Sequence, residues 1–137
     1  MDETTLIRTG RHCVFELHVH LVFVTKYRRH VFTDDVLTAM EKIIGEVCEK
    51  MESTLVEFNG EGDHIHCMIT YPPKLSVAKL VNSLKGASSR RIRRVFPSMK
   101  KRYWKDVLWS RSYFAASCGG APLDIIRSYI EDQRRPA

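Results

Sequence analysis

VFELHVHLVFVT, residues 14–25, alternates with a period of two. Phe15, Leu17, Val19, Leu21 and Phe23 fall on one side and Glu16, His18 and His20 on the other. Alternation of this kind predicts a long strand with one face against a core. The basic run Lys26-Tyr27-Arg28-Arg29 ends it as an exposed turn. The order of elements that follows decides the fold.

Thr33 before Asp34 and Asp35 is a helix start, because the hydroxyl can cap and the acids complement the helix dipole. Val36, Leu37, Met40, Ile43, Ile44, Val47, Cys48 and Met51 recur at helical spacing, predicting one amphipathic helix over 34–51. A second strand is expected over about 53–59. The Gly60-Glu61-Gly62 turn follows, and a third strand from Asp63 to about Tyr71 is stopped by Pro72-Pro73. Ser76 caps a second helix with the stripe Val77, Leu80, Val81, Leu84, Ile92 and Val95, closed by Pro97. Residues 107–117, VLWSRSYFAAS, are expected as a fourth strand, broken by Gly119-Gly120. Pro122 then opens a final helix through about Gln133.

The expected fold is therefore α+β: a ferredoxin-like, split βαββαβ antiparallel sheet with both crossover helices on one face and a C-terminal helix added. Residues 1–137 are expected to form a single domain, long enough to bury a core without disulfide or metal staples. Cys13, Cys48, Cys67 and Cys118 form no CxxC pair and read as buried free thiols. No apolar run reaches the ~20 residues of a membrane span. The acidic start Met1-Asp2-Glu3-Thr4 lacks the apolar core of a signal peptide, so a cytoplasmic chain with no membrane partner is expected.

The formal net charge is +6, and its distribution is uneven. No Asp or Glu occurs from His64 to Lys105, while that stretch carries half of all Lys and Arg. Cations without interspersed acids create a field suited to a polyanion, which favours a nucleic-acid partner over a merely solvated helix face.

In Asp63-His64-Ile65-His66-Cys67, strand geometry puts both imidazoles on one face, where two neutral rings can clamp a divalent ion. His18-Val19-His20 has identical spacing, and spacing alone hardly separates the two pairs. His64 follows a Gly-rich turn, which gives its pair a modest preference. On the final helix Ile125, Tyr129 and Gln133 share a face, with Leu123, Ile126 and Ile130 as the docking stripe beside it. Tyrosines at such an edge are mostly half-buried with a wet hydroxyl. One acting as a nucleophile has to overcome a pKa near ~10 with the help of a metal-polarised target or a base.

DHIH at 63–66, SYIEDQ at 128–133, KYRR at 26–29, LKGASSR at 84–90 and LWSRSYF at 108–114 together closely resemble the small single-tyrosine HUH transposases of bacterial insertion sequences. The resemblance runs over roughly residues 11–134, and Ile65 fills the hydrophobic middle position of His-hydrophobic-His. It implies a metal-dependent transposase that cleaves and rejoins single-stranded DNA, with Tyr129 as nucleophile and a 5′-phosphotyrosine intermediate. It also implies His64, His66 and Gln133 as ligands of Mg²⁺ or Mn²⁺. The partners implied are single-stranded DNA with imperfect hairpins and a second copy of the chain, in a homodimer whose active sites can be shared between subunits. Gly119-Gly120 would be the hinge for that exchange. Charge and expected exposure make Tyr27, Arg28, Arg29, Lys85, Ser88 and Arg90 the candidate DNA contacts.

Three other readings compete. A non-catalytic nucleic-acid-binding module would show an RNP-type motif, which Ala87-Ser88 breaks. A hydroxide-making hydrolase would show further Asp or Glu ligands close by, absent from His64 to Lys105. A replication-initiator or relaxase-like nickase often carries paired tyrosines in its active helix, where this helix has only Tyr129.

Overall fold

The computed structural model describes residues 8–9, 14–15, 17–102, 107–117 and 123–133. Cys13, Cys118, Gly119-Gly120 and Pro122 lie outside the described residues. Within them the strands are β1 (Arg8–Thr9), β2 (Val14–Phe15), β3 (His18–Val24), β4 (Thr54–Glu61), β5 (His64–Thr70) and β6 (Phe114–Ser117). The helices are α1 (Asp34–Lys50), α2 (Val77–Val95) and α3 (Leu123–Asp132).

β3 to β6 form one antiparallel sheet in the spatial order β4-β5-β3-β6. With α1 joining β3 to β4 and α2 joining β5 to β6, this is the ferredoxin-like arrangement expected from the sequence. Both caps form as predicted: Thr33 Oγ1 accepts from the Val36 amide at 3.3 Å, and Ser76 Oγ accepts from the Lys79 amide at 3.1 Å. Alternation along β3 and β5 divides the sheet into two faces. Leu21, Phe23, Ile65, Cys67 and Ile69 are buried in one core with Met40 and Ile44 of α1 and Leu80, Leu84 and Ile92 of α2. Val95, expected on the stripe of α2, is 56% exposed, because it is the last helical residue and lies beyond that core. Val22 and Val24 point to the opposite face, where Ile126, Tyr129 and Ile130 of α3 pack on them beside Phe114.

Two strand expectations need correcting. The predicted strand 14–25 divides. Val14–Phe15 pairs with Arg8–Thr9 in a separate two-stranded ribbon, and only His18–Val24 enters the main sheet. The predicted strand 107–117 is regular only over Phe114–Ser117, with Trp109 making an isolated bridge to Thr25. Where the strand is interrupted, the Lys85 ammonium binds the three consecutive carbonyls of Ser110, Arg111 and Ser112. In a pleated strand successive carbonyls point to opposite sides, so convergence of three on one cation does not fit a regular strand.

Cys48 and Cys67 are free and buried, as expected. Burial pushes the Cys48 thiol up to about 12 and raises that of Cys67 as well. No helix among the described residues is long and apolar enough to cross a membrane.

Candidate functional site

His64 and His66 share the α3-facing side of the sheet with Val24 and Val22, their partners across β3. Asp63 precedes the strand in the Gly62-Asp63 turn, so its side chain folds back onto its neighbour instead of alternating away. Its Oδ1 lies 2.8 Å from His64 Nδ1, and its Oδ2 lies 3.3 Å from Arg28 Nε and 3.8 Å from His30 Nε2. Asp63 is only 4% exposed. Burial alone would raise its carboxyl, but the His64 hydrogen bond and the positive fields of His64, His30 and Arg28 hold it below its ordinary value. A carboxylate only accepts, so His64 Nδ1 must donate, and a neutral ring with that proton has its lone pair on Nε2. A carboxylate behind one ring nitrogen is the usual support for a metal-binding histidine.

His66 is placed differently. His20 sits diagonally across the β3–β5 pairing, and its Nδ1 is 3.1 Å from His66 Nε2. The pKa values of both rings are lowered. For His20, burial is the largest cause, reinforced by His18 and opposed by Glu57; for His66, burial is the largest cause, reinforced by His20 and His64 and opposed by Glu57. The pair spacing could not separate from HxH at 64–66 therefore turns out to be its neighbour: His20 is a partner of His66. His18 is buried, and its Nδ1 has no hydrogen-bond partner among the described residues.

Across the sheet face, α3 closes a cavity of about 380 Å³. Arg28, His30, Asp63 and His64 line one side, and Ile126, Arg127, Ile130 and Glu131 line the other. Tyr129 and Gln133 occupy the adjoining face of α3. The Tyr129 ring packs on Phe114 with centroids 5.7 Å apart, and its hydroxyl lies 2.7 Å from Ser112 Oγ. Gln133 Oε1 accepts from Ser110 Oγ at 3.0 Å and from Ser112 Oγ at 3.1 Å, while Nε2 donates to the Tyr129 carbonyl at 3.1 Å. Ser112 has one hydroxyl proton, already given to Gln133, so Tyr129 must be the donor in the Tyr129–Ser112 bond. Burial raises the Tyr129 pKa and the Ser112 contact lowers it, with burial the larger effect, so the phenol stays protonated at neutral pH.

Paired imidazoles on one face, one of them backed by a carboxylate, are a donor set that suits a divalent ion. For the ligand set that the resemblance implies, His66 Nε2 would have to give up His20 and Gln133 Oε1 the serines. No cluster of three or more His, Cys, Asp or Glu placed to hold a metal occurs among the described residues.

Of the candidate DNA contacts, all expected to be exposed, Tyr27, Arg28, Arg29 and Lys85 are half-buried and Ser88 is buried. Ser88 is 0% exposed, accepts the Trp109 indole N–H at 3.0 Å and donates to the Lys85 carbonyl at 3.2 Å. Its hydroxyl is engaged inside the protein, where sequence reading expected an exposed one. Lys85 is half-buried rather than exposed, and burial pulls its pKa down to about 8. All three of its N–H donors go to backbone carbonyls. Arg90 is exposed, as expected. Tyr27 and Arg28 both have left-handed backbone (φ 61° and 54°) in the turn after β3, which swings Arg28 back onto Asp63. Arg29 lies over the Tyr27 ring at 6.0 Å. The acid-free stretch is also partly neutralised through space, since Arg91 pairs with Glu46 of α1.

Sequence reasoning missed Ser110, Ser112, the carboxylate support from Asp63 and the role of His20. An Asp directly before HxH at a Gly turn was a usable signal for Asp63. The other three depend on strand register and loop path, which spacing does not carry.

A split βαββαβ sheet with a His-hydrophobic-His strand and a tyrosine-bearing helix laid over that same face is the architecture of the single-tyrosine HUH class. The chain belongs to the IS200-like transposase family: residues 13–133 match the family described as "Transposase IS200 like". It is 33% identical over 132 residues to the transposase for insertion sequence element IS200 of Salmonella typhimurium, covering 96% of this chain and 84% of the relative. It is 28% identical over 127 residues to the ISDra2 transposase TnpA of Deinococcus radiodurans, covering 93% and 91%. A crystal structure of a chain assigned as a transposase from Deinococcus radiodurans R1 superposes with a TM-score of 0.86 at 31% identity, covering 94% of this chain and 99% of that one. The REP-associated tyrosine transposase bound to a REP hairpin shares the fold at 11% identity (TM-score 0.55), covering 92% and 69%.

Proposed function

We propose that this transposase cleaves and rejoins single-stranded DNA with Tyr129 as nucleophile, acting on hairpins at the ends of a mobile element. The observation that carries this reading is the placement of Tyr129 on α3, which packs over the His64–His66 face. The Tyr129 oxygen gives up its phenolic proton to solvent as it attacks a backbone phosphorus, and a tyrosyl–phosphate bond forms as the bond to the 3′ oxygen breaks. That oxygen leaves as a 3′-hydroxyl once it takes up a proton. Reversal by the same or another 3′-hydroxyl reseals the strand, so bond energy is conserved and no nucleotide cofactor is consumed.

His64 and His66, with Gln133 once it is released from Ser110 and Ser112, would hold Mg²⁺ or Mn²⁺. When bound, the ion supplies Lewis-acid polarisation of the scissile phosphate. Asp63 fixes the tautomer and orientation of His64, and Arg28, which pairs with Asp63, and Arg127 bring guanidinium groups to a cavity that Glu61 and Glu131 also line. Tyr27, Arg29 and Arg90 remain proposed contacts with DNA. Hairpin recognition is supported by the related fold that binds a REP hairpin. We further propose a homodimer in which α3 of one subunit can serve the other.

The test is incubation of the protein with Mn²⁺ and a labelled single-stranded hairpin oligonucleotide copied from the DNA flanking the coding sequence. A covalent adduct that survives denaturation and disappears in Tyr129→Phe is expected. An adduct that persists in that variant, or water-cleaved product alone, overturns the reading.

A further inference from the structure

Lys85 projects from α2, a helix that packs on the sheet face opposite α3. Its side chain nevertheless reaches the segment that leads into β6. The ammonium donates to the carbonyls of Ser110 (2.7 Å), Arg111 (3.2 Å) and Ser112 (3.0 Å) and lies 5.6 Å and 5.7 Å from the ring centroids of Phe23 and Tyr113. Converging carbonyls repel one another unless a cation gathers them, so the path of residues 110–112 depends on this charge. The same segment carries the two hydroxyls that hold Gln133 Oε1, one of which also takes the Tyr129 proton. The Ser110 amide, bonded to the Val24 carbonyl at 2.8 Å, ties it to the strand paired with the His64 strand.

We propose that Lys85 is a positioning residue for Tyr129 and Gln133, acting through the backbone of Ser110–Ser112 without touching DNA. Each link is a direct hydrogen bond: Lys85 to the three carbonyls, Ser110 and Ser112 to Gln133, and Tyr129 to Ser112. No further donor remains on Lys85 for a phosphate. The route runs from the helical layer, around the β6 edge of the sheet, to the face that carries the histidines. For activity this proposal rests on Tyr129 being the nucleophile; for geometry it does not.

The test uses full-length protein with 3-fluorotyrosine placed at position 129, so that its ¹⁹F resonance reports the surroundings of that ring. Lys85→Met keeps the length and removes the charge and donors; Lys85→Arg keeps the charge. The ligand is the hairpin oligonucleotide described above. Lys85→Met is expected to shift the resonance, leave hairpin affinity within about twofold, and slow adduct formation at saturating DNA by roughly 10- to 100-fold. Lys85→Arg is expected to recover most of the rate and resonance, and Ser112→Ala to shift the resonance as Lys85→Met does. An unmoved resonance in Lys85→Met overturns the proposal. So does a wild-type rate at saturation with weakened hairpin binding, the signature of a phosphate-contacting lysine. If Lys85→Met does not fold, Lys85→Gln, which keeps two N–H donors without the charge, is judged by the same readouts. If the wild-type protein forms no Tyr129-dependent adduct, the proposed nucleophile fails while the resonance still decides the role of Lys85.

Discussion

His20 and His66 are hydrogen-bonded across two strands, Nδ1 to Nε2 at 3.1 Å, with ring centroids 5.3 Å apart. One ring must donate and the other accept, so the pair is satisfied only while at least one facing nitrogen keeps its lone pair. Burial is the largest reason that both pKa values are lowered. The unfolded chain then binds more protons than the folded one as pH falls through the ordinary histidine value of about 6.5. Stability from this pair is present above that value and lost on acidification. Thermal unfolding followed from pH 7.5 to 5.5 is expected to show a falling midpoint, with a smaller fall in His20→Asn. Equal falls in both proteins would rule the pair out as the source.

Asp63 supports His64 from behind. Asp63→Asn keeps the size but replaces a charged acceptor with an amide, so Nδ1 is no longer forced to donate. Loss of such a partner typically costs 10- to 100-fold in metal affinity, and a loss of about that size is expected for Mn²⁺, read by calorimetry or by the free-ion EPR signal. Binding as tight as wild type would mean that His64 does not hold the ion through Nε2.

Ser88 and Arg90 separate packing from DNA contact. Ser88→Ala leaves the buried Trp109 indole N–H without its acceptor and should cost about 1–3 kcal/mol in denaturant unfolding, with hairpin affinity unchanged. Arg90→Ala should leave stability within about 0.5 kcal/mol. It should also weaken hairpin binding and lower the slope of log K against log salt by about one. The reverse pattern would return Ser88 to the DNA surface.

Cys48 and Cys67 should resist a thiol reagent in the native protein and react on unfolding, because burial disfavours both thiolates. Mass spectrometry of labelled peptides checks this site by site. Native-state labelling of Cys67 would contradict its burial between sheet and helices.

Where one period governed a whole element, the sequence could be read directly. α1 announced itself through Thr33, the two acids and an apolar stripe, and β5 through the opposition of His64 and His66 to Ile65, Cys67 and Ile69. The strand expected over 107–117 failed because its apolar and aromatic residues have the right composition, while its interrupted part is bound to a lysine 25 residues upstream of Ser110. Lys85 and Ser88 misled for a related reason. A cation and a hydroxyl on an amphipathic helix look solvent-facing until another segment is laid over them. At the site, Tyr129 and Gln133 were visible as a shared helix face. That their polar atoms meet at Ser112 follows from how α3 docks on β6, which no local pattern encodes.

The strict alternation of β5 has a consequence for how errors in folding would fall. A one-residue slip against β3 would turn His64, His66 and Met68 into the helical layer and expose Ile65, Cys67 and Ile69. Such a misaligned sheet would bury two imidazoles without partners and strip three core residues of their packing. Misfolded molecules are therefore removed by instability before they could bind DNA with the histidines on the wrong side. A well-packed interior and correctly aimed histidines are set by one and the same strand register.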